Sequence, residues 1–108
     1  MTISIFDESC DTTPVQRLLE QSQNLVRQGK LSEAESACRE ALEKAEQTLG
    51  REHIKYGHAM DQLSQVLEAQ HRIVEARDAC AHAISILEPQ LGHEAVHTLM
   101  MRLHHLYR

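Results

Sequence analysis

The sequence is poor in aromatic residues, proline and glycine, and these shortages narrow the fold class. Aromatic residues make up 3% of the 108 residues and tryptophan is absent, whereas strands are enriched in aromatic and β-branched side chains. Two prolines and four glycines provide few helix breaks. Alanine, leucine, glutamate and glutamine, which are strong helix formers, dominate instead. The composition therefore predicts an all-helical protein.

Other missing features argue against whole classes of function. No apolar run is long enough for a transmembrane helix, and the acidic N-terminal segment does not fit a signal peptide. The net charge is −5 and the 11 Lys and Arg residues are scattered, which argues against a nucleic-acid or acidic-membrane partner. Three cysteines without a C-x-x-C pair indicate a reducing compartment. We expect a cytoplasmic protein that uses no cofactor.

The most informative feature that is present is an internal repeat. Residues 31–50 can be laid over residues 73–92 at an offset of 42, with 8 identities in 20 positions where chance gives about one. The matched pairs include Ala34 and Ala76, Cys38 and Cys80, and Gly50 and Gly92. Such a repeat indicates stacked supersecondary units rather than a compact enzyme core. The two cysteines fall in a stripe of small apolar residues, so we expect them to be buried rather than nucleophilic.

Helical periodicity and end signals predict five helices. They run from Pro14 to Gly29, from Ser32 to Gly50, from about Ile54 to Gln70, through the second small-residue stripe to near Pro89, and from roughly Glu94 to Tyr107. Ser32 is expected to cap the second helix, with Glu35 completing a capping box. Short connections force antiparallel pairs. We therefore expect a tail at residues 1–13, repeats at about 14–53 and 54–92, and a partial repeat at 93–108.

The two copies also share a longer motif. The first reads Leu18…Leu25…Gly29…Glu33-Ala34-Glu35…Ala41-Leu42…Leu49-Gly50…His53, and the second reads Met60…Leu63…Leu67…Glu75-Ala76-Arg77…Ala83-Ile84…Leu91-Gly92-His93. Over about residues 14–108 the chain resembles the tetratricopeptide repeat, particularly the longer form found in kinesin light chains. The resemblance implies an all-α fold in which antiparallel helix hairpins stack as a short α-solenoid. It also implies a non-catalytic interaction module, such as an adaptor, small chaperone or docking subunit. His71 departs from the motif, because it stands where the inter-helix glycine is expected.

The family geometry places the first helix of each hairpin on the concave side of the solenoid. Mapped onto this chain, it implies a partner-binding groove lined by Gln16, Leu19, Gln23, Val26, His58, Asp61, Gln65, Glu68, Thr98, Met101 and His105. Kinesin-type repeats often carry paired asparagines there, and this chain has none at those positions. The mixed polar surface suits an extended or helical peptide of a partner protein.

A second hypothesis comes from the H-E-x-x-H pattern at residues 93–97. On a helix this pattern places His93 and His97 one turn apart, as in zinc proteases. A zinc protease needs a third ligand, but no acidic residue follows Glu94, and Leu103 stands where the metzincin pattern requires histidine. No phosphate loop or nucleophile elbow is present either, so we expect no enzyme. The alternative function is a metal-binding or metal-dependent protein that uses His93, His97 and His104, which helical spacing places on one edge of the fifth helix.

The fifth helix also predicts self-association. Its apolar strip includes Leu99, Leu103 and Leu106. This strip is wider than the surface that a single neighbouring hairpin can bury, and an exposed apolar strip of this kind marks an interface. A two-fold homodimer is the commoner solution for a small chain, so we expect a homodimer through this helix. The strip could instead be covered by a helix of a partner protein, or by the N-terminal tail with Ile3, Ile5 and Phe6.

Overall fold

The computed structural model describes residues 13–106, which form five α-helices. They are α1 (Thr13–Arg27), α2 (Leu31–Thr48), α3 (Ile54–Ala69), α4 (Ile73–Leu91) and α5 (His97–Leu106). These residues contain no strand, which confirms the all-helical prediction. None of the five helices is both long enough and apolar enough to cross a bilayer. The predicted tail falls almost entirely on residues 1–12, outside the described part of the chain.

The helices pack in chain order as a short, elongated solenoid. α1 packs on α2 and α3 packs on α4, the two hairpins stack mainly through α2 and α3, and α5 packs on α4. The described part measures 52 × 31 × 19 Å. The two small-residue stripes are fully buried, namely Ala34, Cys38 and Ala41 on α2 and Ala76, Cys80 and Ala83 on α4. Small side chains at these positions let neighbouring helices approach closely. The predicted burial of both cysteines is thereby confirmed.

The link between α1 and α2 is a Schellman turn built on a glycine. The N–H of Gly29 donates to the carbonyl of Val26, and the N–H of Lys30 donates to the carbonyl of Leu25 at 2.9 Å. These two bonds require a left-handed residue after the helix, and Gly29 has φ of 81°. Glycine adopts this conformation without the steric cost of a Cβ atom.

His71 makes the same turn at the end of α3, although it is not a glycine. Its N–H donates to the carbonyl of Glu68, and the N–H of Arg72 donates to the carbonyl of Leu67, both at 2.9 Å. Within residues 13–106 it is the one non-glycine residue with positive φ, at 65°. A side chain in this region costs roughly 1–2 kcal/mol. The turn that Gly29 makes freely is therefore strained at His71.

Replacing His71 by glycine should raise the free energy of unfolding by about 1 kcal/mol, because the left-handed strain is removed. The His71 side chain is exposed, so little packing is lost. Urea denaturation followed by circular dichroism measures the change. His71→Ala is the matched control, because alanine keeps the Cβ atom and should bring no such gain. A glycine variant no more stable than the alanine variant would show that the turn is not strained.

The start of α2 differs from the prediction. Lys30 is the N-cap and no side chain caps the helix, so the capping box predicted for Ser32 and Glu35 is wrong. The chain passes from the Schellman turn directly into α2, which leaves Ser32 inside the first turn. Glu35 instead pairs with Arg39 at 2.8 Å and with Arg72, at the start of α4, at 2.7 Å. Burial acts to raise the pKa of the Glu35 carboxyl, but the hydrogen bond from Arg39 and the charges of Arg72 and Arg39 outweigh it and lower that pKa.

Candidate functional site

A shallow groove of about 350 Å³ lies between α1 and α3. Its lining residues are Gln16, Leu19, Gln23, Lys55, His58, Asp61, Gln62 and Gln65. The structure thus brings together six of the residues predicted for the groove. Leu19 is only 6% exposed and forms an apolar part of the floor.

Lys55 and Gln62 line the groove but were absent from the prediction. A signal for them exists in the sequence, because positions 55, 58, 62 and 65 are spaced by three and four residues and so share one face of α3. The family geometry selected two of these four positions. Helical periodicity alone would have added the others.

Two polar contacts cross the groove from α3 to α1. The Lys55 ammonium donates to Gln16 Oε1 at 2.7 Å, and the Gln23 amide donates to Gln62 Oε1 at 3.3 Å. Each joins residues 39 apart in the chain. The contacts bridge the opening helices of successive hairpins and arrange amide groups along the groove.

Asp61 has a different role from the one predicted. Its carboxylate forms an ion pair with Arg102 of α5, and it also accepts a hydrogen bond from Gln65 at 3.3 Å. The Asp61 and Arg102 side chains are only 17% and 22% exposed. Asp61 therefore ties α5 to α3, and its negative charge is largely balanced before any ligand enters the groove.

His58 and Lys55 set the charge of the groove. Burial lowers the pKa of the His58 imidazole, and the positive charge of Lys55 lowers it further, against the opposing effect of Asp61. His58 is therefore neutral at neutral pH. Among the described residues Lys55 has no carboxylate partner. The groove is thus polar with one unbalanced positive charge, in a chain of net charge −5.

The other predicted groove residues do not line this surface. Val26 is half-buried against the core, and Glu68 is half-buried at the far end of α3. Thr98, Met101 and His105 are exposed on α5.

The residues predicted for an oligomer interface are buried, fully or in part, against the core of the same chain. Leu106 is buried, and Leu99 and Leu103 are partly buried against the same core cluster. Met101, in contrast, is 61% exposed. The apolar surface that α5 offers outward is therefore smaller than the predicted strip.

The H-E-x-x-H segment is not helical throughout, because α5 starts at His97 and residues 93–96 form turns. The prediction that His93 and His97 lie one turn apart on a helix is wrong. Gly92, with φ of 96°, ends the preceding helix, so the helical pattern does not continue through the segment. His93 instead lies 3.3 Å from the carboxylate of Glu88 on α4. Within residues 13–106 no group of three or more His, Cys, Asp or Glu side chains is placed to hold a metal ion.

A model of the tetratricopeptide repeat family matches residues 16–99. The match extends from the first turn of α1 into the first turn of α5, so it covers both hairpins and only the start of α5. It confirms the resemblance drawn from the motif residues. No curated protein matches the chain.

Proposed function

Since the chain belongs to the tetratricopeptide repeat family, we propose that it is a docking module that binds a peptide or helix of a partner protein in the groove between α1 and α3. Tetratricopeptide repeats generally mediate protein–protein interactions, and the family is typically a non-catalytic scaffold. The observation that carries the proposal is the groove itself, which collects side chains of two successive opening helices on one surface. The proposed role is that of an adaptor, small chaperone or docking subunit in the cytoplasm.

The chemistry of the groove suits a polypeptide. Glutamine amides both donate and accept hydrogen bonds, so they match the N–H and C=O groups of a peptide backbone. Gln23 and Gln65 are exposed, and a primary amide that makes one hydrogen bond, here to Gln62 and to Asp61, keeps further donor and acceptor capacity for such bonds. Lys55 supplies a positive charge for a carboxylate of the partner, and Leu19 supplies an apolar contact.

The double variant Gln23→Ala, Gln65→Ala should lose the natural partner while keeping the stability of the wild type. Both side chains are exposed, so their removal leaves the core intact. Immobilised protein is incubated with an extract of the native source, and retained proteins are quantified by mass spectrometry. Asp61 is a poor probe, since its removal would leave Arg102 without its ion-pair partner.

The matched control is Gln21→Ala, Gln47→Ala, which makes the same chemical change at two exposed positions that do not line the groove. A partner bound in the groove is retained by the control variant and lost by the groove variant. A partner that both variants retain equally, or lose equally, would place the binding surface elsewhere.

The structure bears differently on the two remaining alternatives, metal binding and self-association through α5. The metal-binding alternative loses the helical spacing on which it was based, because His93 lies in a turn. The homodimer through α5 remains a proposal, but Met101 and the exposed edge of Leu103 would form its contact rather than the buried Leu106.

A further inference from the structure

Cys38 and Cys80 occupy equivalent positions in the two repeats, and both are fully buried. Their surroundings nevertheless differ. Cys38 Sγ lies 2.9 Å from the hydroxyl of Ser22. At the equivalent place Ser64 is fully buried near Cys80 and, against the larger effect of burial, acts to lower the pKa of the Cys80 thiol, yet the Ser64 hydroxyl has no hydrogen-bond partner in good geometry among the described residues. The Cys80 thiol donates instead to the carbonyl of Leu99 on α5, at 3.4 Å.

The helices that cover the two cysteines are held to different degrees. Both cysteines belong to the core cluster that contains Leu63 and Leu67 of α3, but they lie on different helices. Cys38 is on α2, which packs between α1 and α3. Cys80 is covered by α5, which packs on α4 and buries only Leu106 of its ten residues. Elements with few buried contacts open at a lower free energy than the global unfolding of the domain. Removal of α5 would therefore uncover Cys80 and leave Cys38 covered.

We propose that Cys80 is a thiol-modification site that α5 exposes by undocking while the two hairpins stay folded. The substrate class is a low-molecular-weight disulfide. In the docked state burial raises the pKa of the Cys80 thiol against the opposing charge of Arg102, so the thiol is protonated and shielded. In the open state water solvates the sulfur, and the free Ser64 hydroxyl can donate a hydrogen bond to the thiolate.

The reaction is thiol–disulfide exchange. The Cys80 thiol loses its proton to water, and the thiolate attacks one sulfur of the small disulfide. A bond forms between Cys80 Sγ and that sulfur, and the disulfide's own S–S bond breaks. The second sulfur leaves as a thiolate with the electron pair. In the docked state Cys80 is fully buried and its Sγ lies 3.4 Å from the Leu99 carbonyl, so an attached group would keep α5 away until a thiol reduces the mixed disulfide.

The test compares two single-cysteine forms of the full chain, each with Cys10→Ser. One carries Cys80→Ser and the other Cys38→Ser, and both react with an aromatic disulfide that releases a coloured thiolate. Under native conditions Cys80 should react at least about tenfold faster than Cys38, because local opening is more frequent than global unfolding. Arg102→Gln removes the ion pair to Asp61 and should accelerate Cys80 while leaving Cys38 unchanged. The same change removes a charge that, against the effect of burial, lowers the pKa of the Cys80 thiol, so an acceleration reports the opening of α5 and not a charge effect. Arg51→Gln removes an exposed ion pair to Glu46 and should change neither rate.

Equal rates for the two cysteines, or equal acceleration of both by Arg102→Gln, would overturn the proposal, since each result means that α5 opens only with the whole domain. Hydrogen exchange of the wild-type chain, followed by mass spectrometry, gives a reading that needs no variant. The amides of α5 should exchange before those of α3, and modification with the aromatic disulfide should abolish their protection while α2 keeps its own. Equal protection of α5 and α3 would also overturn the proposal.

Discussion

Replacing Leu67 by alanine should lower the free energy of unfolding by about 2–5 kcal/mol, the range for removing a buried leucine side chain. Leu67 is 2% exposed and lies in the core cluster that joins α2, α3 and α4. Because α3 is packed between two helices, the surroundings cannot collapse freely into the cavity that the substitution leaves. Urea denaturation followed by circular dichroism measures the loss.

Leu25 provides a control at the same repeat position, 42 residues earlier. It lies on α1, the first of the described helices, and is only partly buried. Leu25→Ala should therefore cost clearly less than Leu67→Ala, although the chemical change is identical. Similar losses at the two positions would mean that α3 is not the central helix of the stack.

Most of the fold could be predicted because the repeat and the helical periodicity describe the same elements. The stripe that begins at Ala34 recurs at Ala76, and a stripe of small residues is useful only where two helices meet. Gly29 and Gly50 mark turns that need positive φ, and both have it in the structure. Local pattern and long-range packing thus require the same arrangement, which is why the prediction of helix order was confirmed.

The errors arose where a local pattern has more than one structural outcome. Ser32 and Glu35 have the spacing of a capping box, but the preceding Schellman turn starts the helix before Ser32 can cap it. The spacing of His93 and His97 is helical, but Gly92 ends the preceding helix and the chain turns before the next one. In both cases the neighbouring turn, rather than the motif, decides the conformation.

In the groove, too, the sequence pattern could not predict contacts between residues that are far apart in the chain. The family resemblance selected Gln16, Gln23 and Gln65 correctly as neighbours on one surface. It could not predict that Asp61 would pair with Arg102, because that contact joins residues 41 apart and no local pattern specifies it. Side-chain partners between successive repeats depend on how the hairpins stack, and the sequence pattern describes only the hairpins themselves.

Stacking also explains a difference between the two repeats. Gly57 on α3 corresponds to Val15 on α1, and Leu87 on α4 corresponds to Ala45 on α2, each 42 residues apart. A Cβ atom at Gly57 would lie 2.7 Å from Leu87 Cδ2. Val15 and Ala45 are both buried in one core cluster. In the first hairpin the larger side chain is on the first helix (Val15), and in the second hairpin it is on the second helix (Leu87). The two repeats therefore fill this contact with different residues, one large and one small in each case.

A double-mutant cycle can give the second hairpin the valine and alanine that the first hairpin has at this contact. Gly57→Val alone is expected to lower the free energy of unfolding by about 1–3 kcal/mol, because the added atoms overlap Leu87. Leu87→Ala alone should lower it by about 2–5 kcal/mol, because it leaves a cavity. In the double variant the valine fills the vacated space, so the loss should be smaller than the sum of the single losses by about 0.5–3 kcal/mol. Urea denaturation of the four proteins measures the cycle.

The control cycle pairs Gly57→Val with Leu67→Ala. These positions are ten residues apart on α3, about 15 Å along the helix axis, and side chains at that distance usually act independently. The two losses should therefore add in this pair, while they compensate in the pair with Leu87. If the losses at Gly57 and Leu87 add as well, the two side chains do not share one space, and the difference between the repeats is not volume compensation. Compensation confined to the Gly57 and Leu87 pair would show that each hairpin needs a given volume at this contact but accepts it from either helix.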